Sequence, residues 1–224
     1  MGQDIELTAS DNVQLGAYRA DPAAARKGAI VVVQEIFGVN HHIRSVCDRL
    51  AAEGYVAIAP AIFDRIEPNF TSGYSPDEVA VARKFVANPD FPAMLRDTQA
   101  AVDAVKSVGP VGIIGFCLGG SVAYAAATKL SGLSAAIGYY GGAIARLADN
   151  KPRVPTQLHF GEQDAGIPLS DVAAIKAKRP EVEIFTYPGA QHGFNCDERA
   201  SYDKKSAETA WPRSMAFFAK NLRK

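Results

Sequence analysis

The residues with the clearest chemical promise lie in Gly115-Phe116-Cys117-Leu118-Gly119-Gly120, directly after the apolar run Val111-Gly112-Ile113-Ile114. A cysteine sulfur can attack a carbonyl carbon and carry the acyl group as a thioester, provided a base and an orienting group stand beside it. The spacing Gly115-x-Cys117-x-Gly119 suits a sharp strand-to-helix turn with cysteine where serine is more usual. Small residues are needed two places before and after because such a turn presses strand against helix. Taken alone, the same pattern also describes a glycine-rich turn around an inert buried thiol. Its partners decide between the two.

Two further side chains complete a chain of proton handling. Residues 155–160 form a short strand-like run followed by Gly161-Glu162-Gln163-Asp164, and 182–187 another followed by Pro188-Gly189-Ala190-Gln191-His192. If each run is a strand, Asp164 and His192 emerge at the same sheet edge as Cys117, in the order nucleophile, acid, base. Asp164 alone would pass for a turn residue and His192 for a loop histidine. Three together at three strand ends predict a catalytic triad. Glu162, beside Asp164, is a weaker alternative acid, and Asp171 is expected to cap a helix. His41, His42 and Cys47 share one helical stretch without metal-ligand spacing. Neither GxGxxG nor GxxxxGK occurs, so no nucleotide cofactor is expected, and no metal.

The elements that must position these groups follow from periodicity. Residues 5–8 and 13–18 alternate at period two around Asp11-Asn12, which predicts an antiparallel hairpin. The run 29–33 is apolar on both faces, as a central parallel strand is. Strands are further expected at 56–59, 111–115, 134–140, 155–160 and 182–187, and helices at 42–53, 91–108, 118–130, 169–178 and 206–222. Residues 60–76, rich in Pro, Gly and Asn, read as an irregular rim or lid. Such alternation predicts a single α/β domain, residues 1–224, with a mostly parallel sheet covered on both faces. Trp211 and Phe217-Phe218 are expected to pack the last helix onto that sheet.

Composition excludes several classes. Lys+Arg and Asp+Glu are equal at 24 each, so no basic surplus points to nucleic acid. Three cysteines make no disulfide framework and fit a reducing compartment. The N-terminus is polar and acidic, unlike a signal peptide, and the longest apolar stretch, 55–63, is too short to cross a bilayer. A cytoplasmic protein without membrane contact is expected, a monomer or small homo-oligomer acting on a small molecule.

With these residues in place, the chain resembles the dienelactone hydrolase (carboxymethylenebutenolidase) family of the α/β-hydrolase fold, from about residue 5 to 222. The resemblance rests on Gln34-Glu35-Ile36-Phe37-Gly38-Val39-Asn40, Gly115 to Gly120, Gly138-Tyr139-Tyr140-Gly141-Gly142, His159 to Asp164 and His192-Gly193-Phe194. It implies Cys117 as nucleophile, His192 as base and Asp164 as its carboxylate. It further implies that Glu35 attends the resting thiol, and that the amides of Ile36 and Leu118 form an oxyanion hole. Phe37 and Tyr139 would line the substrate. Family members that open dienelactone hold its carboxylate with two arginines. Cys196 occupies one of those places here; Arg199 is the candidate substitute, and Arg83 the candidate for the other, slightly out of register. The expected reaction is hydrolysis of activated esters or enol lactones. A broad carboxylesterase or thioesterase is the alternative, and a non-catalytic thiol sensor, oxidised towards Cys196, the alternative of another class.

Overall fold

The structure, a computed structural model, describes residues 2–223. In chain order the elements are β1 (Gln3–Thr8), β2 (Gln14–Ala20), β3 (Ala29–Val33), α1 (His41–Ala52), β4 (Val56–Pro60), α2 (Pro76–Lys84), α3 (Phe91–Val105), β5 (Val111–Phe116), α4 (Leu118–Lys129), β6 (Leu133–Tyr139), α5 (Ile144–Leu147), β7 (Thr156–Gly161), α6 (Leu169–Lys178), β8 (Glu183–Tyr187) and α7 (Lys204–Asn221). One eight-stranded sheet runs in the order β1-β2-β4-β3-β5-β6-β7-β8. The β1–β2 and β2–β4 pairs are antiparallel and the rest parallel. This is the α/β sheet with an opening hairpin that the periodicity predicts.

Strand β3 shows why the sheet must be covered twice. All five of its residues are buried. Ile30 and Val32 face a core shared with α1, α6 and α7, whereas Ala29, Val31 and Val33 face a second core under α3 and α4. Burying an Ile or Val side chain stabilises a fold by about 1.5–3 kcal/mol, so exposing either face would be costly. Helix α7 closes the first core with Phe217 and Phe218, and Trp211 carries the Arg49 guanidinium over its ring at 4.3 Å.

Two local readings need correction, and one helix lies beyond those expected. Residues 61–75 are irregular, as their composition predicts, and lead into helix α2, which Ser75 starts with a capping box to Glu78. Only Ala82 of this helix is buried, so its sequence carries no apolar stripe to reveal it. Helix α3 ends at Val105, short of residue 108. Asp171 does not cap α6: Pro168 occupies the N-cap and Asp171 lies in the first turn, where a negative charge meets the helix dipole favourably. No described helix is long and apolar enough to cross a membrane.

Candidate active site

The parallel register Val33↔Gly115 and Phe116↔Tyr139 brings the carboxyl ends of β3, β5 and β6 side by side. Active groups collect at such strand ends in open α/β sheets. Cys117, between β5 and α4, has φ 55° and ψ −114°, a strained conformation for a residue with a side chain. Its amide donates to the Tyr139 carbonyl at 3.0 Å, which pins the turn to β6. The flanking glycines are steric necessities. A Cβ on Gly115 would lie 1.9 Å from the Gly119 carbonyl oxygen, and one on Gly119 would lie 2.2 Å from that of Val33. The elbow thus holds a half-buried thiol at the mouth of the sheet.

Asp164 follows β7 and His192 follows β8. His192 Nδ1 is 2.7 Å from Asp164 Oδ2, and the other carboxylate oxygen accepts from the Gly166 amide at 2.8 Å. Asp164 is buried, and the Cys117 thiol stands close enough to the His192 ring to act on its charge. Desolvation pulls the His192 pKa down, but the hydrogen bond its ring donates to Asp164, with the neighbouring Cys117 sulfur, outweighs it and raises the ring to about 10. Glu162 instead accepts from the Thr186 hydroxyl at 2.8 Å. Asp164 is the carboxylate that meets the imidazole.

Glu35, just past β3, is buried, and its Oε1 accepts from Arg199 Nη1 at 3.1 Å. Its Oε2 has no hydrogen-bond partner among the described residues. Arg199 lies over the rings of Phe37 and Tyr74, at 5.5 and 6.0 Å, and against the Cα of Gly193, next to His192. The amides of Ile36 and Leu118 have no hydrogen-bond partner among the described residues. Both follow strands that pair directly, β3 and β5.

Other expected contacts fall elsewhere. Arg83 is exposed in the last turn of α2 and makes no ion pair with any described residue. Tyr139 is fully buried; its hydroxyl bonds Ser214 at 2.7 Å and its ring stacks on His159 at 4.4 Å. Tyr140 takes its place. With φ 39° it leaves the strand alternation and sets its ring 5.1 Å from that of His192. Its buried hydroxyl has no partner among the described residues, and burial, followed by the charge of Glu35, keeps it protonated. Tyr74 also joins the site, at 4.7 Å from Phe37. Clefts of about 520 and 570 Å³ lie beside β1–β2 and over residues 71–78, and Cys117 lines neither.

This sheet order, with an elbow at the end of β5 and an acid and a histidine after β7 and β8, defines an α/β-hydrolase. The dienelactone hydrolase family model matches residues 15–222. A Synechocystis protein named "Putative carboxymethylenebutenolidase" is 37% identical over the full length of both chains. An Escherichia coli K12 protein of the same name is 35% identical, over 93% of this chain and 83% of its own. The crystal structure of a dienelactone hydrolase homologue from Klebsiella pneumoniae superposes with a TM-score of 0.85 at 31% identity, covering 98% of this chain and 99% of that one. The chain therefore belongs to the dienelactone hydrolase family, and is a hydrolase of that type.

Proposed function

We propose that the protein hydrolyses activated esters and lactones, enol lactones foremost, by acyl transfer through Cys117. The thiol passes its proton to Glu35, the sulfur attacks the carbonyl carbon as thiolate, and the amides of Ile36 and Leu118 receive the oxyanion. The tetrahedral adduct collapses, the C–O bond breaks, and the departing oxygen takes a proton from His192. Water then attacks the thioester while His192, oriented by Asp164, accepts its proton, and the sulfur leaves. Acylation removes the thiol contact that helps raise the His192 pKa, so the imidazole is freed to act as base when water arrives.

One observation carries this reading: a strained Cys117 beside a histidine already held at 2.7 Å from a buried carboxylate. The sulfur also narrows the substrate class. A tetrahedral adduct expels its better leaving group, so an alkyl ester would return to substrate by losing thiolate, whereas an enolate or aryloxide departs forward. Arg199 supplies a cation for a substrate carboxylate. Such a carboxylate would compete with Glu35 for the guanidinium, and release of Glu35 towards the thiol would give it a proton to accept. The test is turnover of a panel of enol lactones and aryl, alkyl and thioesters by the native protein and by Cys117→Ala. Hydrolysis of the activated members, falling at least tenfold in the variant, is expected; a variant keeping more than a tenth of kcat would mean another nucleophile.

A further inference from the structure

Behind Glu35 lies a cluster that the hydrolytic scheme leaves unexplained. Glu35, His42 and Cys196 are all buried, and each offers a ligand atom within 4.8 Å of the other two. They reach this point from separate places: the loop after β3, the first turn of α1, and the segment after His192. Each of the first two is held on one atom and open on another. His42 Nδ1 is 3.5 Å from Asp197 Oδ1, while its Nε2 is buried without a partner. Arg199 holds Glu35 Oε1, while Oε2 is likewise unpartnered. Leaving such a buried group unsatisfied costs about 1–3 kcal/mol, more when it is charged. Among the described residues the Cys196 thiol makes one hydrogen bond, donated to the Tyr74 hydroxyl at 3.4 Å.

We propose that Glu35, His42 and Cys196 bind a borderline-soft divalent transition ion of the zinc type, with a water completing the coordination. A carboxylate and a thiolate match the two charges of the ion, and the imidazole adds a neutral donor. Tetrahedral zinc with the usual bond lengths sets its ligand atoms about 3.3–3.5 Å apart, so rotations of these side chains close a triangle no wider than 4.8 Å. Asp197 stands where a carboxylate orients a metal-binding imidazole through its second nitrogen. Desolvation lowers the His42 pKa and keeps the ring neutral, with a lone pair to give. Burial pushes the Cys196 thiol up to about 12, so the ion must displace its proton. Arg199 opposes a second cation, but it sits on the far oxygen of Glu35. The exposed carboxylate of Asp197 and its neighbour Glu198 offer an acidic approach.

The triad thiol could itself bind a soft ion, so the test begins from Cys117→Ser. Cobalt(II) is titrated into this protein and the thiolate-to-cobalt charge-transfer absorption is recorded. One equivalent should develop the band; zinc should abolish it by displacement. Adding Cys196→Ser should remove the band, and adding His42→Gln should weaken cobalt binding at least tenfold, with urea unfolding of each metal-free variant reporting that it is folded. A Cys117→Ser protein that develops no band, or a band that survives Cys196→Ser or keeps its affinity in His42→Gln, would overturn the proposal. Ion binding should also slow turnover by occupying Glu35. That consequence alone rests on the role proposed for Glu35; the spectroscopic readout needs no turnover.

Discussion

Replacing Arg199 with methionine would leave the Glu35 carboxylate buried without its cation. Glu35 is 1% exposed at the side chain and Arg199 20%, with 3.1 Å between the charged atoms. At an effective dielectric constant of about 20, a charge pair at that distance attracts by roughly 5 kcal/mol. Breaking a buried pair on one side typically destabilises by about 3–5 kcal/mol, since the remaining charge keeps its desolvation penalty. Partial exposure of Arg199 places the expected loss near the lower end, about 3 kcal/mol. The double variant Arg199→Met with Glu35→Gln carries no orphaned charge and should recover at least half of that loss. Urea unfolding of the native protein, both single variants and the double variant gives the coupling energy directly. A loss below about 1 kcal/mol in Arg199→Met, or a double variant no more stable than that single one, would refute the reasoning.

Three further outcomes follow from the same geometry. The His192 ring, followed by NMR, should titrate near pH 10, and Asp164→Asn should bring the midpoint down by removing an anionic hydrogen-bond partner. Because the folded value lies above the ordinary 6.5, protonation of His192 favours the fold fully below about pH 6.5 and loses that contribution as pH rises through 10; a midpoint unmoved by Asp164→Asn would contradict this. Gly115→Ala drives a Cβ to 1.9 Å from a backbone carbonyl, so Tm should fall by several degrees and turnover with it, whereas equal Tm would show that the elbow can relax. On matched substrates, enol lactones should be opened at least ten times faster than alkyl esters in kcat/KM, and equal rates would remove the leaving-group argument.

The sheet was legible because its strands announce themselves chemically. Residues 29–33 and 111–115 are apolar on both faces, and the ends of the runs 111–115, 155–160 and 182–187 tell where Cys117, Asp164 and His192 emerge. What stayed hidden depends on local backbone or distant contacts. Alternation along β6 points to Tyr139 or Tyr140 equally well, and only the positive φ of Tyr140 turns that ring towards His192. The Glu35–Arg199 pair joins residues 164 apart in the chain, a separation no motif spans. His42 carries no ligand spacing with Cys47, yet folding sets it beside Cys196 and Glu35. Helix α2 was missed for the opposite reason: its Ser75-Pro76-Asp77-Glu78 start is a visible capping signal, but the turn-rich residues before it and the single buried side chain within it mask the pattern.

Covalent capture of the acyl-enzyme tests the account at its centre. A slowly deacylated aryl ester is mixed with the protein, the reaction is quenched in acid within the first turnovers, and peptide masses are read. The account predicts one acyl group per chain, on Cys117, and none on the Cys117→Ala protein. Steady hydrolysis with no acyl group on Cys117, or with the label on another side chain, would contradict it.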